Sequence, residues 1–200
     1  MRHLILALVS WFLTTAALAD YVPTTDWSQL PEIKRSKAAR YMTPQEAYAL
    51  MQQEGAKTLF LDIRTRAEAM YVGMPLIADG LVPYVEHQEF WNEWDDKRTM
   101  YKLEPNPDFA AEVGRRLQMK ALAKTDRIIL ICRSGDRSAK AADLLAAHGY
   151  TNVISIAEGF EGDLAKEGPQ AGQRAVNGWK NAGLPWSYKL DKAKMYWPLR

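Results

Sequence analysis

The chain has 200 residues, of which 25% are charged and 48% hydrophobic, with a formal net charge of +2. That length suits one domain and leaves little room for a second full core. The charge is too balanced, and its basic runs too short, for a nucleic-acid surface, and the composition is that of an ordinary soluble globular protein.

Residues 1–19 differ from the rest: Arg2 and His3 begin a run that is apolar from Leu4 to Leu13 except for Ser10, and small residues follow up to Ala17-Leu18-Ala19. This is the layout of a secretory signal cleaved after Ala19. The apolar run falls short of the ~20 residues a spanning helix needs, so no stable membrane insertion is expected after cleavage. The expected location is secreted, or periplasmic if the source is a Gram-negative bacterium. Residues 20–42 read as an extended lead-in with Pro23 and Pro31, in which Lys34 to Arg40 form a solvated basic stretch.

Thr43-Pro44-Gln45-Glu46 opens a helix, with Thr43 as N-cap, Pro44 in the first turn and Glu46 closing a capping box. Ala47, Leu50 and Met51 give it an apolar face and Gly55 is expected to stop it. Thr58 to Ile63 reads as a buried strand and Thr65 to Met70 as a short capped helix, followed by an extended segment around Leu76 to Val82. Residues 86–106, rich in Trp and Tyr among charges, are expected to be an elaborated loop with a helical part. Trp91, Trp94 and Trp179 read as packing residues, with lining of the mouth above Cys132 as the alternative for all three. Asn106 is the expected N-cap of a helix from Pro107 to Leu122.

Arg127 to Ile131 is the strongest strand signal; Ser138 to His148 reads as a helix stopped by Gly149, and Asn152 to Ile156 as a further strand. Strands alternating with helices predict an α/β fold, a central, mostly parallel sheet with helices on both faces. The domain is expected to span residues 43–187, with 188–200 as a C-terminal tail laid back over it.

The sequence holds one cysteine, Cys132, so no internal disulfide can form. It follows the strongest strand at once, at the sheet edge where α/β folds bind ligands, and Arg133-Ser134-Gly135-Asp136-Arg137-Ser138 lead from it into the helix. Gly135 permits a tight turn, backbone N–H groups can form an anion nest, and the helix dipole adds positive potential. A free thiol titrates near about 8.5, and such surroundings lower it to about 3.5–7.5. Arg133 and Arg137 act in that direction; Asp136 opposes them unless it points outward or pairs with an arginine. His87 and His148 lack spaced partners, so neither a metal nor any other cofactor is expected.

Cys-Arg-Ser-Gly-Asp-Arg-Ser resembles the active-site loop of the rhodanese-like single-domain sulfurtransferases, of the thiosulfate sulfurtransferase type. Leu61-Asp62-Ile63-Arg64, Gly159-Phe160-Glu161-Gly162 and Gly178 to Pro185 resemble other segments of that family. One stretch departs: Tyr71-Val72-Gly73-Met74-Pro75 stands where relatives read Gly-His-Ile-Pro, with Met74 in place of the His. The resemblance implies a rhodanese-like fold and a persulfide carried on Cys132. Arg133 and Arg137 would attract an anionic donor such as thiosulfate, and Ser134 and Ser138 would donate hydrogen bonds to the persulfide. Asp62 would either cap local backbone or hold Arg137 in place, and Arg64 is a structural or surface residue beside it. Small sulfur compounds, cyanide and thiols are the implied partners. A sulfur-carrier or redox protein is the partner in the alternative reading, a relay module with little turnover of its own. Cys132 and Arg137 have the spacing Cys-x4-Arg. The cell-cycle phosphatases, arsenate reductases and protein tyrosine phosphatases have one residue more, a wider cradle for a tetrahedral oxyanion.

Overall fold

A computed structural model describes residues 25–198; the expected export segment, residues 1–19, lies outside the described residues. In chain order the strands and helices are β1 (Arg40–Met42), α1 (Pro44–Glu54), β2 (Thr58–Asp62), α2 (Arg66–Val72), β3 (Met74–Pro75), β4 (Gly80–Leu81) and β5 (Val85–His87). There follow β6 (Trp94–Asp95), β7 (Met100–Tyr101), β8 (Leu103–Pro105), α3 (Phe109–Met119), β9 (Arg127–Ile131), α4 (Asp136–Ala147), β10 (Val153–Ile156) and β11 (Trp186–Ser187). The order β1-β10-β9-β2-β4 makes a five-stranded, wholly parallel sheet.

The central strands are apolar at successive positions because both faces of the sheet are covered. Leu59, Leu61, Ile128 and Leu130 pack against Phe109, Val113 and Leu117 of α3 and Ala141, Ala142 and Leu145 of α4. Their neighbours Phe60, Ile129 and Ile131 point the other way, onto Ala47 and Met51 of α1, Ala69 of α2, Phe160 and Trp179. Trp179 is a packing residue, as expected: it is fully buried, 5.5 Å from Phe60 between ring centres, and its Nε1–H donates to Pro185 O. Met74 is buried in the same cluster.

Local signals set several helix ends. The Thr43–Glu46 capping box opens α1 and a Thr65–Glu68 box opens α2. Gly149 follows α4 with φ 84°, the left-handed stop expected of it. Gly55 behaves otherwise: it is right-handed and leads into a 3-10 turn, Gly55–Lys57. At α3 the N-cap is Asp108 rather than Asn106; Asn106 Oδ1 accepts the Asp108 N–H and its amide donates to Pro83 O.

Three segments differ from expectation for reasons of tertiary contact. Arg40–Met42 pair with Ile154–Ile156, so the sheet takes in residues that the pattern assigned to the lead-in. Lys34 is buried rather than solvated: its ammonium donates to Ala157 O and to both oxygens of Asp163, while Asp143 Oδ1 accepts from Ser36 Oγ and the Lys37 and Ala38 N–H groups. Residues 86–106 contain no helix. They form two antiparallel ladders, β5 with β8 and β6 with β7, braced by Trp91 and Trp94 edge-on to Tyr101. The tail does lie back over the domain: Lys194 Nζ donates to Leu76 O and Ala78 O, and Arg116 donates to Lys194 O and Met195 O.

At the end of β2, Asp62 and Arg64 form an ion pair at 2.6 Å with both side chains fully buried. Arg64 also donates to Gly73 O and lies 3.9 Å from the Phe160 ring centre. Removing one partner of such a pair leaves a buried charge and costs about 3–5 kcal/mol. Asp62→Ala is therefore expected to lower unfolding free energy in urea by about that amount; a loss under about 1 kcal/mol, the scale of an exposed pair, would show that solvent reaches Arg64.

Candidate active site

The strand β9 delivers Cys132 to its carboxyl end, and three residues turn the chain into α4. Gly135 is the N-cap, with φ 96°, and a β-carbon there would lie 2.1 Å from Ala157 O. Gly159 presses from the other side: its β-carbon would lie 2.5 Å from Ser134 N. Both positions need glycine for space as well as for backbone angle. The segment after β10 is laced to the turn, with Phe160 N–H donating to Cys132 O, and the Glu161 and Gly162 N–H groups to Arg133 O. The helix begins two residues before the Ser138 expected from the pattern, so Asp136 and Arg137 belong to its first turn.

The Cys132 sulfur is buried at the bottom of this turn. The Gly135 N–H donates to Sγ at 3.1 Å, and Ser138 Oγ stands 3.5 Å away. Ser138 Oγ also donates to Gly135 O and shares a 2.7 Å contact with Ser155 Oγ. Ser155 escaped the sequence reading; its only signal was a hydroxyl in the middle of the apolar strand Val153–Ile156. Asp136 turns inward, with Oδ1 3.9 Å from Sγ and accepting the Ser134 hydroxyl at 3.4 Å. The sulfur thus sits at the N-terminal end of α4, with the Gly135 N–H on one side and the Asp136 carboxyl on the other.

Asp62 does not hold Arg137. Its carboxylate is taken by the Arg64 backbone N–H and guanidinium, so Arg64 is a fully buried structural residue. Arg137 is gripped instead by Glu68, through two bonds of 2.6 and 2.7 Å. Glu68 closes the capping box of α2, accepting the Thr65 N–H, and that box was legible in Thr65-x-x-Glu68. Burial alone would raise the Glu68 carboxyl. The hydrogen bonds and charge of Arg137, then Arg64 and the Thr65 N–H, outweigh it and hold the group at about 2 against a usual 4.5. Burial likewise works against the Arg137 charge, and Glu68 more than restores it.

Above the loop opens a cleft of about 1110 Å³ whose walls include Arg133, Ser134, Asp136 and Arg137. The Trp-rich stretch does reach it, though through His87, Arg98, Met100 and Leu103; Trp91 stands behind, stacked on His87 at 4.0 Å. The far wall comes from residues 161–176, including Leu164, Arg174 and Val176, none of which the sequence reading singled out.

The family model for the rhodanese-like domain matches residues 43–166. The chain is 31% identical over 130 residues to the uncharacterized RP600 homolog of Rickettsia rickettsii, covering 64% of this chain and 81% of that protein. It is 28% identical over 128 residues to the uncharacterized protein RP600 of Rickettsia prowazekii, with the same two shares, 64% and 81%. The crystal structure of Rv0390 from M. tuberculosis is similar with a TM-score of 0.54 at 26% identity, covering 74% of this chain and 97% of that one.

A carboxyl depressed in the folded state adds stability above its unfolded value, and that stability is lost as pH falls through the folded value. For Glu68 the window runs from 4.5 down to about 2, and the contribution at neutral pH is about 3 kcal/mol. Glu68→Gln is expected to be less stable than wild type at pH 7 in urea unfolding and to show a shallower loss between pH 4.5 and 2. An unchanged acid slope would mean that other carboxyls carry the acid sensitivity.

Proposed function

The chain belongs to the rhodanese-like domain family, and from that premise we propose that it is an exported sulfurtransferase that carries sulfane sulfur as a persulfide on Cys132. The observation that carries the reading is the Gly135 N–H aimed at Sγ from 3.1 Å, at the start of a twelve-residue helix. A fixed donor and a positive helix end at that atom would stabilise a sulfur anion in both halves of the reaction, which supports the reading.

In the first half the Cys132 thiolate attacks the outer sulfur of a donor such as thiosulfate. A new S–S bond forms, the donor's own S–S bond breaks, and its electron pair leaves with sulfite. The terminal sulfur of the resulting persulfide carries the negative charge, next to the positive N-terminal end of α4. In the second half an acceptor, cyanide or a thiolate, attacks that terminal sulfur and the electron pair returns to Cys132. Splitting one transfer into two such displacements is covalent catalysis. Arg137, fastened by Glu68, keeps a positive charge beside the loop without leaving it free to swing. The Cys-x4-Arg spacing favours a cradle for a single sulfur over one for a phosphoryl group. The apolar, small-residue-ended segment 1–19 supports export, to the periplasm in a Gram-negative source.

A second reading rests on the cleft. Its volume of about 1110 Å³ far exceeds a thiosulfate ion, and Cys132 itself is fully buried beneath it. That arrangement suits a sulfur relay to a larger thiol or to a protein partner.

Both readings meet in one assay. Thiocyanate formation from thiosulfate and cyanide is expected for the reduced protein and lost in Cys132→Ser, and thiosulfate alone is expected to add one sulfur to the wild-type mass. Sulfur loading without turnover would select the relay. No loading at all would overturn sulfur transfer.

A further inference from the structure

The cations on the cleft wall are not equally engaged. Lys34 is paired with Asp163 and Arg137 with Glu68. Arg133 and Arg174 line the same cleft, and among the described residues neither makes an ion pair. Arg133 Nε is buried with no hydrogen-bond partner.

Gly162 holds the two arginines in register. Its N–H donates to Arg133 O at 3.2 Å, and its carbonyl accepts from Arg174 Nη1 at 2.5 Å. Arg174 is fixed from behind as well: it bridges Leu164, and its carbonyl accepts the Asn181 amide. Burial, then the charge of Arg133, push the Arg174 guanidinium down, and Glu161, Asp136 and Asp163 offset this only in part. A guanidinium fixed at Arg174 and a second one at Arg133, near enough to repel it, are stabilised by an anion placed between them beside the open cleft. Arg174 lies beyond residues 43–166, the part matched by the family model.

Resting on the sulfurtransferase reading above, we propose that Arg133 and Arg174 clamp the oxyanion end of the sulfur donor, and that Arg174 sets a preference for dianionic donors such as thiosulfate over monoanionic ones. The clamp binds the sulfonate group while Cys132 attacks the outer sulfur. When the S–S bond of the donor breaks, the electron pair departs on sulfite, a dianion that the same two guanidiniums hold. A monoanionic thiosulfonate delivers its outer sulfur by the same displacement, leaving as a sulfinate with one charge fewer for the clamp to meet.

The test compares loading of the full reduced protein from thiosulfate and from benzenethiosulfonate. Arg174→Ala is expected to lower kcat/KM for thiosulfate about ten- to a hundredfold, the scale of a hydrogen bond to a charged group, with a much smaller loss for benzenethiosulfonate. Arg174→Lys should fall between the two, because it keeps the charge and loses the fork. Sulfite binding to Cys132→Ser, measured by calorimetry, should disappear when Arg174→Ala is added. Equal losses on both donors, or no loss on either, would overturn the clamp. If wild type loads from neither donor, sulfur transfer fails on its own account. The calorimetry then decides the clamp alone, with sulfite binding independent of Arg174, or absent, overturning it.

Discussion

The structure turns on a spatial constraint at two backbone positions. The turn from Cys132 to α4 is squeezed between Ala157 on one side and Gly159 on the other, and neither Gly135 nor Gly159 has room for a β-carbon. Because the turn is so tight, the Gly135 N–H faces the Cys132 sulfur and not solvent. Because residues 160–162 hydrogen-bond to the carbonyls of Cys132 and Arg133, the turn cannot relax outward. The sheet, the helix start and the loop after β10 therefore act as one clamp on the sulfur's surroundings, which is the preorganisation that charge stabilisation requires.

Around that turn, buried charges orient the elements. Asp62 with Arg64 closes the end of β2, Glu68 with Arg137 ties α2 to α4, and Lys34 with Asp163 ties the lead-in to the loop after β10. All but Asp163 are largely buried, and each is held by more than one hydrogen bond, so these pairs are devices for position more than for net stability. The consequence for the cleft is selective. The cations that serve as struts are each paired with a carboxylate, while Arg133 and Arg174 make no ion pair among the described residues and face what enters.

Much of this was legible in the residues. The capping boxes of α1 and α2, the buried strands, the Gly149 stop and the loop around Cys132 all rest on local chemistry that tertiary contact did not override. The short capped helix from Thr65 was expected, but Glu68 was not singled out, and its grip on Arg137 spans 69 positions of sequence, which no short-range pattern encodes. The hairpins of residues 86–106 were misread as partly helical because aromatic residues scattered among charges fit either period. Cross-strand ring contacts such as Trp94 on Tyr101 decide the matter.

By itself the sequence determined the fold class, the place of Cys132 at the end of a buried strand and the glycine that lets the chain turn there. These follow from apolar periodicity and backbone sterics, which act within a few residues. Only the tertiary structure decided which carboxylate holds which arginine, that Asp136 points toward the sulfur, that Lys34 is buried, and that Arg174 comes to stand beside Arg133. Those outcomes depend on side chains from distant segments meeting in a shielded space, where burial makes each unpaired charge costly and so selects the partner.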